Sequence, residues 1–182
     1  MLKKYLRVTI DTGQWGANAA CTCMALAAGV RLWHYLPSDM DALTFWVHLL
    51  LPVLAAVIFL LGMAAGSRRA KPASMVSVVL GVVFFIIKAQ TFAPLHRTLC
   101  TILYLAVLLL FNATVAGWLP TKKLLYPLFG LPFVYHLLVE DTRLYFFADP
   151  PVPVWDWMPE ISVLCIMAGL FFLTFAMKTE KR

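Results

Sequence analysis

The chain has 182 residues, of which 62% are hydrophobic and 13% are charged, and its mean hydropathy is +0.84. Soluble domains are closer to half apolar and a quarter charged, so this composition excludes an ordinary soluble protein and indicates a single integral membrane domain. The net charge of +6 is not gathered in a soluble basic domain, which argues against a nucleic-acid partner and leaves the lipid bilayer as the expected environment.

Six runs of the sequence are apolar and close to the length of about 20 residues that a helix needs to cross a bilayer. The predicted spans cover residues 14–35, 43–65, 73–92, 98–118, 122–144 and 160–177. Turn-forming residues separate them, and the longest break, residues 149–159, contains four prolines. We therefore predict an all-α integral membrane protein, with six transmembrane helices in one bundle that forms a single domain over residues 1–182.

The basic residues predict the orientation of the bundle. Eleven of the fifteen Lys and Arg residues lie in the N-terminal segment, the loops after spans two and four, and the C-terminal segment. A bundle of six spans places all four segments on the same side of the membrane. Cytoplasmic loops carry the excess of positive charge in membrane proteins, so we expect the N and C termini to be cytoplasmic and the protein to lie in the cell membrane. All six tryptophans fall at predicted span ends, where indole rings favour the headgroup level.

The first span carries a row of small residues. Ala17, Cys21, Ala25 and Gly29 recur every four residues, which predicts one small-residue face along the helix. Such a face allows a second helix to approach closely. The neighbour is expected either within the bundle or in a separate partner membrane subunit.

Ionisable side chains gather near the predicted outer ends of the next spans. His48 lies in span two, Lys88 lies toward the end of span three, and Arg97 opens span four. Arg31 and His34 lie at the end of span one. Arg31 is expected either to reach the headgroups as an interfacial anchor, as is His34, or to be one of the cationic groups that face a cavity. The sequence therefore predicts a polar layer on the outward side above an apolar interior.

Span five ends in the densest group of charged residues. His136 and Glu140 are four residues apart and Arg143 follows at the seventh position, so a helix places the three on one face. Charged groups inside a membrane helix are costly and mark functional sites by default.

These residues suggest a site for a small polar or anionic solute in an outward-facing cavity, used for binding or transport. The candidate ligand-binding residues are His48, Lys88, Arg97, His136, Glu140 and Arg143. One alternative is a membrane-embedded enzyme acting on a lipid headgroup, with Glu140 or His136 as acid or base. The other is a non-catalytic membrane assembly partner, in which the polar layer only anchors the bundle.

No motif predicts a catalytic residue, a cofactor or a metal ion. The four cysteines form no Cys-x-x-Cys pair, although Cys100 and Cys165 can pair if spans four and six touch. The sequence has no His-Glu-x-x-His motif, and His136 with Glu140 supplies only two ligands on a helix face, a minor alternative.

The predicted plan resembles that of the substrate-binding subunits of energy-coupling-factor vitamin transporters. The shared features are six helices, a similar length, cytoplasmic termini and a small-residue face on the first helix. The resemblance implies an outward-facing solute site and a partner subunit. The chain lacks a ligand-specific motif of that family, and spans two and three are not glycine-rich, so the resemblance implies no particular substrate.

Overall fold

The computed structural model describes residues 6–37, 39–91, 95–119, 123, 125–135 and 158–181. Over this part of the chain the protein consists of helices and one short two-stranded ribbon. The helices are α1 (Trp15–Tyr35), α2 (Ala42–Ala64), α3 (Ser67–Thr91), α4 (Leu95–Ala116), α5 (Leu125–Tyr135) and α6 (Met158–Ala176), and the strands are β1 (Leu6–Ile10) and β2 (Met177–Lys181).

Three of the helices are long and apolar enough to cross a membrane. They are α2, the Ser67–Lys88 part of α3, and α6. Helices α1 and α4 also lie where spans are predicted, and α5 covers the first half of the fifth predicted span, whose remainder lies outside the described residues. The chain is therefore a mostly helical membrane protein, and crossing by α1, α4 and α5 stays a prediction.

The sequence predicts an all-α chain, but the structure also contains a two-stranded antiparallel ribbon. Strands β1 and β2 pair antiparallel, with Val8 opposite Thr179 and Ile10 opposite Met177. Val8, Ile10 and Met177 are buried while Arg7 is exposed, which is the alternation of a strand with one covered face. The ribbon brings residues 6–10 and 177–181 together at one end of the bundle, although the side of the membrane on which they lie stays a prediction.

Glycine closes two of the helix ends. Gly66, between α2 and α3, has a φ of 91°, and Gly117, after α4, has a φ of 86°. Both angles lie in the left-handed region, where a side chain is disfavoured. The Gly117 N–H donates to the Thr114 carbonyl and the Trp118 N–H to the Ala113 carbonyl, both at 2.9 Å, which satisfies carbonyls that the end of α4 leaves without helical donors.

Helix α2 starts irregularly. The carboxylate of Asp41 caps it by accepting the Thr44 N–H at 2.6 Å, and residues Phe45–Leu50 then form a π-helical segment. In this segment the Leu51 N–H donates to the Trp46 carbonyl, five residues back. Pro52 follows directly and has no N–H, so it cannot donate to the carbonyl of His48 four residues earlier.

Helices α1 and α6 pack through small residues. A Cβ atom on Gly16 would lie 2.6 Å from the backbone oxygen of Phe172, and one on Gly169 would lie 3.2 Å from that of Ala20. The buried face of α1 consists of Gly16, Ala17, Ala20, Met24, Ala27 and Arg31. Two helices therefore approach closely along almost the whole length of α1.

The predicted small-residue row follows this contact only at its start. Ala17 is buried and Cys21 is half-buried, whereas Ala25 and Gly29 are exposed. Each step of four residues turns the helix by about 400°, so such a row drifts by about 40° per step and winds away from α6. Helix α1 therefore packs in the bundle mainly through residues outside the predicted row. A partner subunit that binds at Ala25 and Gly29 stays a prediction.

Candidate functional site

Polar side chains from four helices meet at the end of the bundle that lies away from the ribbon. Helix α1 begins shortly after β1 and α6 runs directly into β2, so the C-terminal end of α1 and the N-terminal end of α6 lie at the opposite end. We call the group there the polar cluster. It consists of Arg31 on α1, His48 on α2, Lys88 on α3, and Glu160 and Ser162 on α6.

Arg31 is the centre of the polar cluster. Its side chain is only 1% exposed and is among the largest fully buried side chains in the described part of the protein. Its Nε donates to the Ser162 hydroxyl at 3.0 Å, its Nη1 to the His48 carbonyl at 2.8 Å, and its Nη2 to the Pro159 carbonyl at 3.1 Å. One guanidinium therefore joins α1 to both α2 and α6.

The local sequence explains why these acceptors are available. Pro52 leaves the His48 carbonyl without its usual helical donor, so that oxygen accepts from Arg31 instead. The Ser162 hydroxyl accepts from Arg31 and donates in turn to the Ala27 carbonyl at 3.1 Å. Each polar atom in this chain of contacts has a partner, as burial in an apolar bundle requires.

Aromatic rings cover the guanidinium. The Arg31 Cζ atom lies 5.2 Å from the ring centroid of Phe84 on α3 and 5.8 Å from that of Tyr35. These distances are within the range of cation–π attraction. Tyr35 also interacts electrostatically with Arg31. The rings exclude water while keeping a favourable environment for a positive charge.

Lys88 and Glu160 form the more accessible part of the polar cluster. The Lys88 Nζ lies 3.2 Å from the Glu160 Oε1, and each side chain is about a quarter exposed, at 26% and 24%. Glu160 also interacts electrostatically with Arg31, and His48 with Arg31, Lys88 and Glu160. The ion pair therefore forms the partly exposed rim of the polar cluster, and its carboxylate interacts with the buried arginine.

Two cations of the polar cluster share one carboxylate. Arg31 and Lys88 are cationic, and both interact with the carboxylate of Glu160. The hydrogen-bond acceptors described for Arg31 are a serine hydroxyl and two backbone carbonyls, all neutral. Asp41 lies near His48 but is exposed and caps α2. Two half-buried to buried cations close to one carboxylate are chemically suited to a negatively charged ligand.

The structure brings two of the sequence-predicted site residues together. His48 and Lys88 both belong to the polar cluster. Arg97 lies in the first turn of α4, but its side chain is outside the described part. His136, Glu140 and Arg143 follow α5 and also lie outside the described residues.

The candidate ligand-binding residues predicted from the sequence do not include Arg31, the central residue of this cluster. Arg31 was expected either to anchor at the headgroups or to face the cavity, and the structure buries its side chain against α2 and α6. Glu160 and Ser162 were not predicted as site residues. One signal was available: Glu160 and Ser162 follow Pro159 in the first turns of an apolar helix, where buried polar groups need partners.

A small apolar cavity lies next to the polar cluster inside the bundle. Its volume is about 30 Å³, and residues from five helices line it, among them Met24, Pro52, Gly81, Phe84, Leu108 and Val163. Ser77 is the one polar side chain among its described lining residues. The interior beneath the polar cluster is therefore apolar.

The described residues suggest no metal chemistry. Within the part of the chain that the structure describes, no group of three or more His, Cys, Asp or Glu residues is arranged to hold a metal ion. Cys165 is a free thiol that lies close to Cys23 on α1. The side chain of Cys100, with which it was considered as a pair, lies outside the described part.

Comparisons with known proteins add no assignment. No protein-family model matches the chain, and neither a curated protein nor a solved structure shows significant similarity to it.

Proposed function

We propose that this chain is a six-span membrane protein with cytoplasmic termini, and that the polar cluster at its outward end binds a small anionic solute. One observation carries this proposal. Arg31 is fully buried, yet all its hydrogen-bond acceptors within the described chain are neutral. Within the described chain Arg31 shares the carboxylate of Glu160 with Lys88, so an anion at the rim would add compensating negative charge.

The distribution of basic and aromatic residues supports the orientation. The ribbon end carries Arg7, Lys178 and the basic start of α3, as expected of a cytoplasmic face. Trp15 and Trp33 are both exposed, at the two ends of α1. They are separated by 18 residues, or about 27 Å of helix, which approximates the thickness of the hydrocarbon core.

Lys88 is the group that would meet the solute directly. Its side chain is partly exposed, whereas Arg31 is shielded by Phe84 and Tyr35. An anion entering from the rim would compete with Glu160 for the Lys88 ammonium, and the fixed charge of Arg31 would favour the anion from below. The chain would act as a transporter or as the recognition subunit of a larger one, with the exposed Ala25 and Gly29 face available to a partner.

A thermal-shift screen tests the proposal. The purified full-length protein would be heated with sodium salts of formate, acetate and phosphate, with sodium gluconate at equal ionic strength as the bulky reference and choline gluconate as the cationic counterpart. A ligand at 100 times its Kd stabilises the folded state by about 2.7 kcal/mol, which raises the Tm measurably. We expect a rise for a small anion and none for choline.

Matched lysine variants locate the site. Lys88→Gln is expected to remove the anion-dependent rise, whereas Lys123→Gln, at an exposed position near the start of α5, is expected to keep it. Equal rises in both variants, or no rise with any small anion in the parent protein, would contradict the proposed function.

A further inference from the structure

We propose that the solute of this site is an anion with a short apolar chain, whose charged group binds at Lys88 and whose hydrocarbon part occupies the cavity beneath the polar cluster. This inference rests on the proposed function and narrows its ligand to one chemical class, the short aliphatic carboxylates. The juxtaposition of a cationic rim with an apolar cavity is the observation behind it.

The polar cluster and the cavity share a wall. Phe84 lines the cavity, and its ring centroid lies 5.2 Å from the Arg31 Cζ atom. Val163 lines the cavity and is the neighbour of Ser162, which accepts from Arg31. Pro52 also lines it and is the residue that leaves the His48 carbonyl to Arg31. Phe84, Val163 and Pro52 therefore link the lining of the cavity to three contacts of the Arg31 guanidinium.

The chemistry of the two regions is complementary to an amphiphile. The rim offers an ammonium group that is partly exposed, while the cavity offers apolar side chains and the Ser77 hydroxyl. An inorganic anion would use only the rim. An anion that carries methylene groups would also gain from removing them from water, by about 0.8 kcal/mol for each CH₂, which equals about fourfold in affinity.

The size of the cavity limits the chain. The cavity, at about 30 Å³, has room for two or three groups of the size of a water molecule, since one such group needs roughly 10–15 Å³. Two or three carbons beyond the carboxylate therefore fit, and a fatty acyl chain does not. Phe84 lines the cavity and its ring contacts Arg31 of the polar cluster, so its ring is the side chain that we expect to give way when the chain enters.

Isothermal titration with a homologous series tests the inference. Formate, acetate, propionate, butyrate, hexanoate and octanoate would be titrated into the full-length protein in lipid nanodiscs. We expect affinity to rise about fourfold per added CH₂ through propionate or butyrate, and to stop rising or to fall at hexanoate.

Two glycine variants provide the matched control. Gly81 lines the cavity, and a Cβ there would make ordinary contact with Leu108 at 3.6 Å, so Gly81→Ala is expected to fold and to fill part of the cavity. It should shorten the preferred acid by about one carbon while leaving formate affinity unchanged. Gly29→Ala adds the same methyl group at an exposed position with nothing within 4 Å, and should leave the series unchanged.

The outcomes separate this inference from the function on which it rests. If formate and butyrate bind with equal affinity and Lys88→Gln loses both, the cavity does not bind the apolar chain. This result would overturn the inference but would support the anion site. Affinity that keeps rising through octanoate would place the chain in the bilayer and indicate a membrane fatty acid, which also overturns the inference. No binding of any acid, formate included, would overturn both.

Discussion

Arg31 and His48 are joined by a hydrogen bond of 2.8 Å from the Nη1 of the arginine to the backbone carbonyl of the histidine. This oxygen is available because Pro52, four residues later, has no N–H to offer it. The irregular start of α2 and the buried charge of α1 therefore depend on each other. The polar cluster depends on this contact between α1 and α2, and the effect of breaking it on stability can be measured.

Replacing Arg31 by lysine should destabilise the bundle. A lysine ammonium is a single point of charge and cannot direct donors to the His48 carbonyl, the Pro159 carbonyl and the Ser162 hydroxyl together, as the guanidinium does. A buried acceptor left without a donor costs about 1–3 kcal/mol, so we expect a lower Tm in thermal unfolding followed by circular dichroism. The control is Arg68→Lys, at an exposed position. Equal Tm values for the two variants would contradict the role of Arg31.

Adding a methyl group at Gly16 should separate α1 from α6. The new Cβ would lie 2.6 Å from the Phe172 backbone oxygen and 3.0 Å from the Phe175 Cβ, and backbone cannot move aside cheaply. Overpacking of this kind costs about 1–3 kcal/mol. Gly16→Ala is expected to lower the Tm, whereas Gly29→Ala should not, because nothing lies within 4 Å of its Cβ. If the two variants unfold at the same temperature, the close α1–α6 contact is wrong.

The ribbon should open in acid. Lys178 donates to Asp11 at 2.7 Å and the Gly13 N–H at 3.1 Å, and these hydrogen bonds, that of Lys178 foremost, lower the pKa of the Asp11 carboxyl below its ordinary value of about 3.9. A lowered pKa means that the carboxylate stabilises the folded ribbon above pH 4 and that this stabilisation is lost as the pH falls through the folded-state pKa.

Hydrogen exchange of the β1 amides measures this loss. After correction for the intrinsic pH dependence of exchange, the parent protein should be better protected than Asp11→Asn at pH 6, and the difference should vanish at low pH. A difference that stays constant across the range would show that the charge of Asp11 plays no part.

The orientation can be tested with single cysteines in a chain whose four native cysteines are replaced by alanine. Asp39 and Ser67 are both exposed, the first before α2 and the second at the start of α3, at opposite ends of the bundle. A membrane-impermeant thiol reagent added to intact cells should label Asp39→Cys but label Ser67→Cys only after permeabilisation. The reverse pattern would invert the bundle and place the polar cluster inside the cell.

Helices α2, α3 and α6 were predictable because each contains an apolar run long enough to cross a bilayer. The ribbon was not, since β1 and β2 are five residues each, carry basic residues and form a strand pair only across the whole chain. Read locally, such segments resemble charged cytoplasmic tails. Their pairing depends on the helix ends that bring them together, and a local pattern does not contain that information.

The candidate site was likewise only partly predictable from the sequence. Lys88 and His48 were predicted from their polarity in apolar surroundings, and both lie in the polar cluster. Arg31 has the same local signal, and the sequence left both an anchoring role and a place in the cavity open for it. Its real partners, Pro159 and Ser162, are 128 and 131 residues away, and only the packing of α6 against α1 brings them together.

The most direct measurement compares two variants that break the same ion pair. Lys88→Gln and Glu160→Gln each remove one partner of the 3.2 Å contact, so a purely structural pair would give the same direction of change in both. An anion site requires opposite directions, because one variant removes the positive charge that binds the solute and the other removes the carboxylate that competes with it. In isothermal titration with propionate, Lys88→Gln should bind about tenfold more weakly than the parent and Glu160→Gln more tightly. Weaker binding in both variants, or unchanged binding in both, would contradict the anion site.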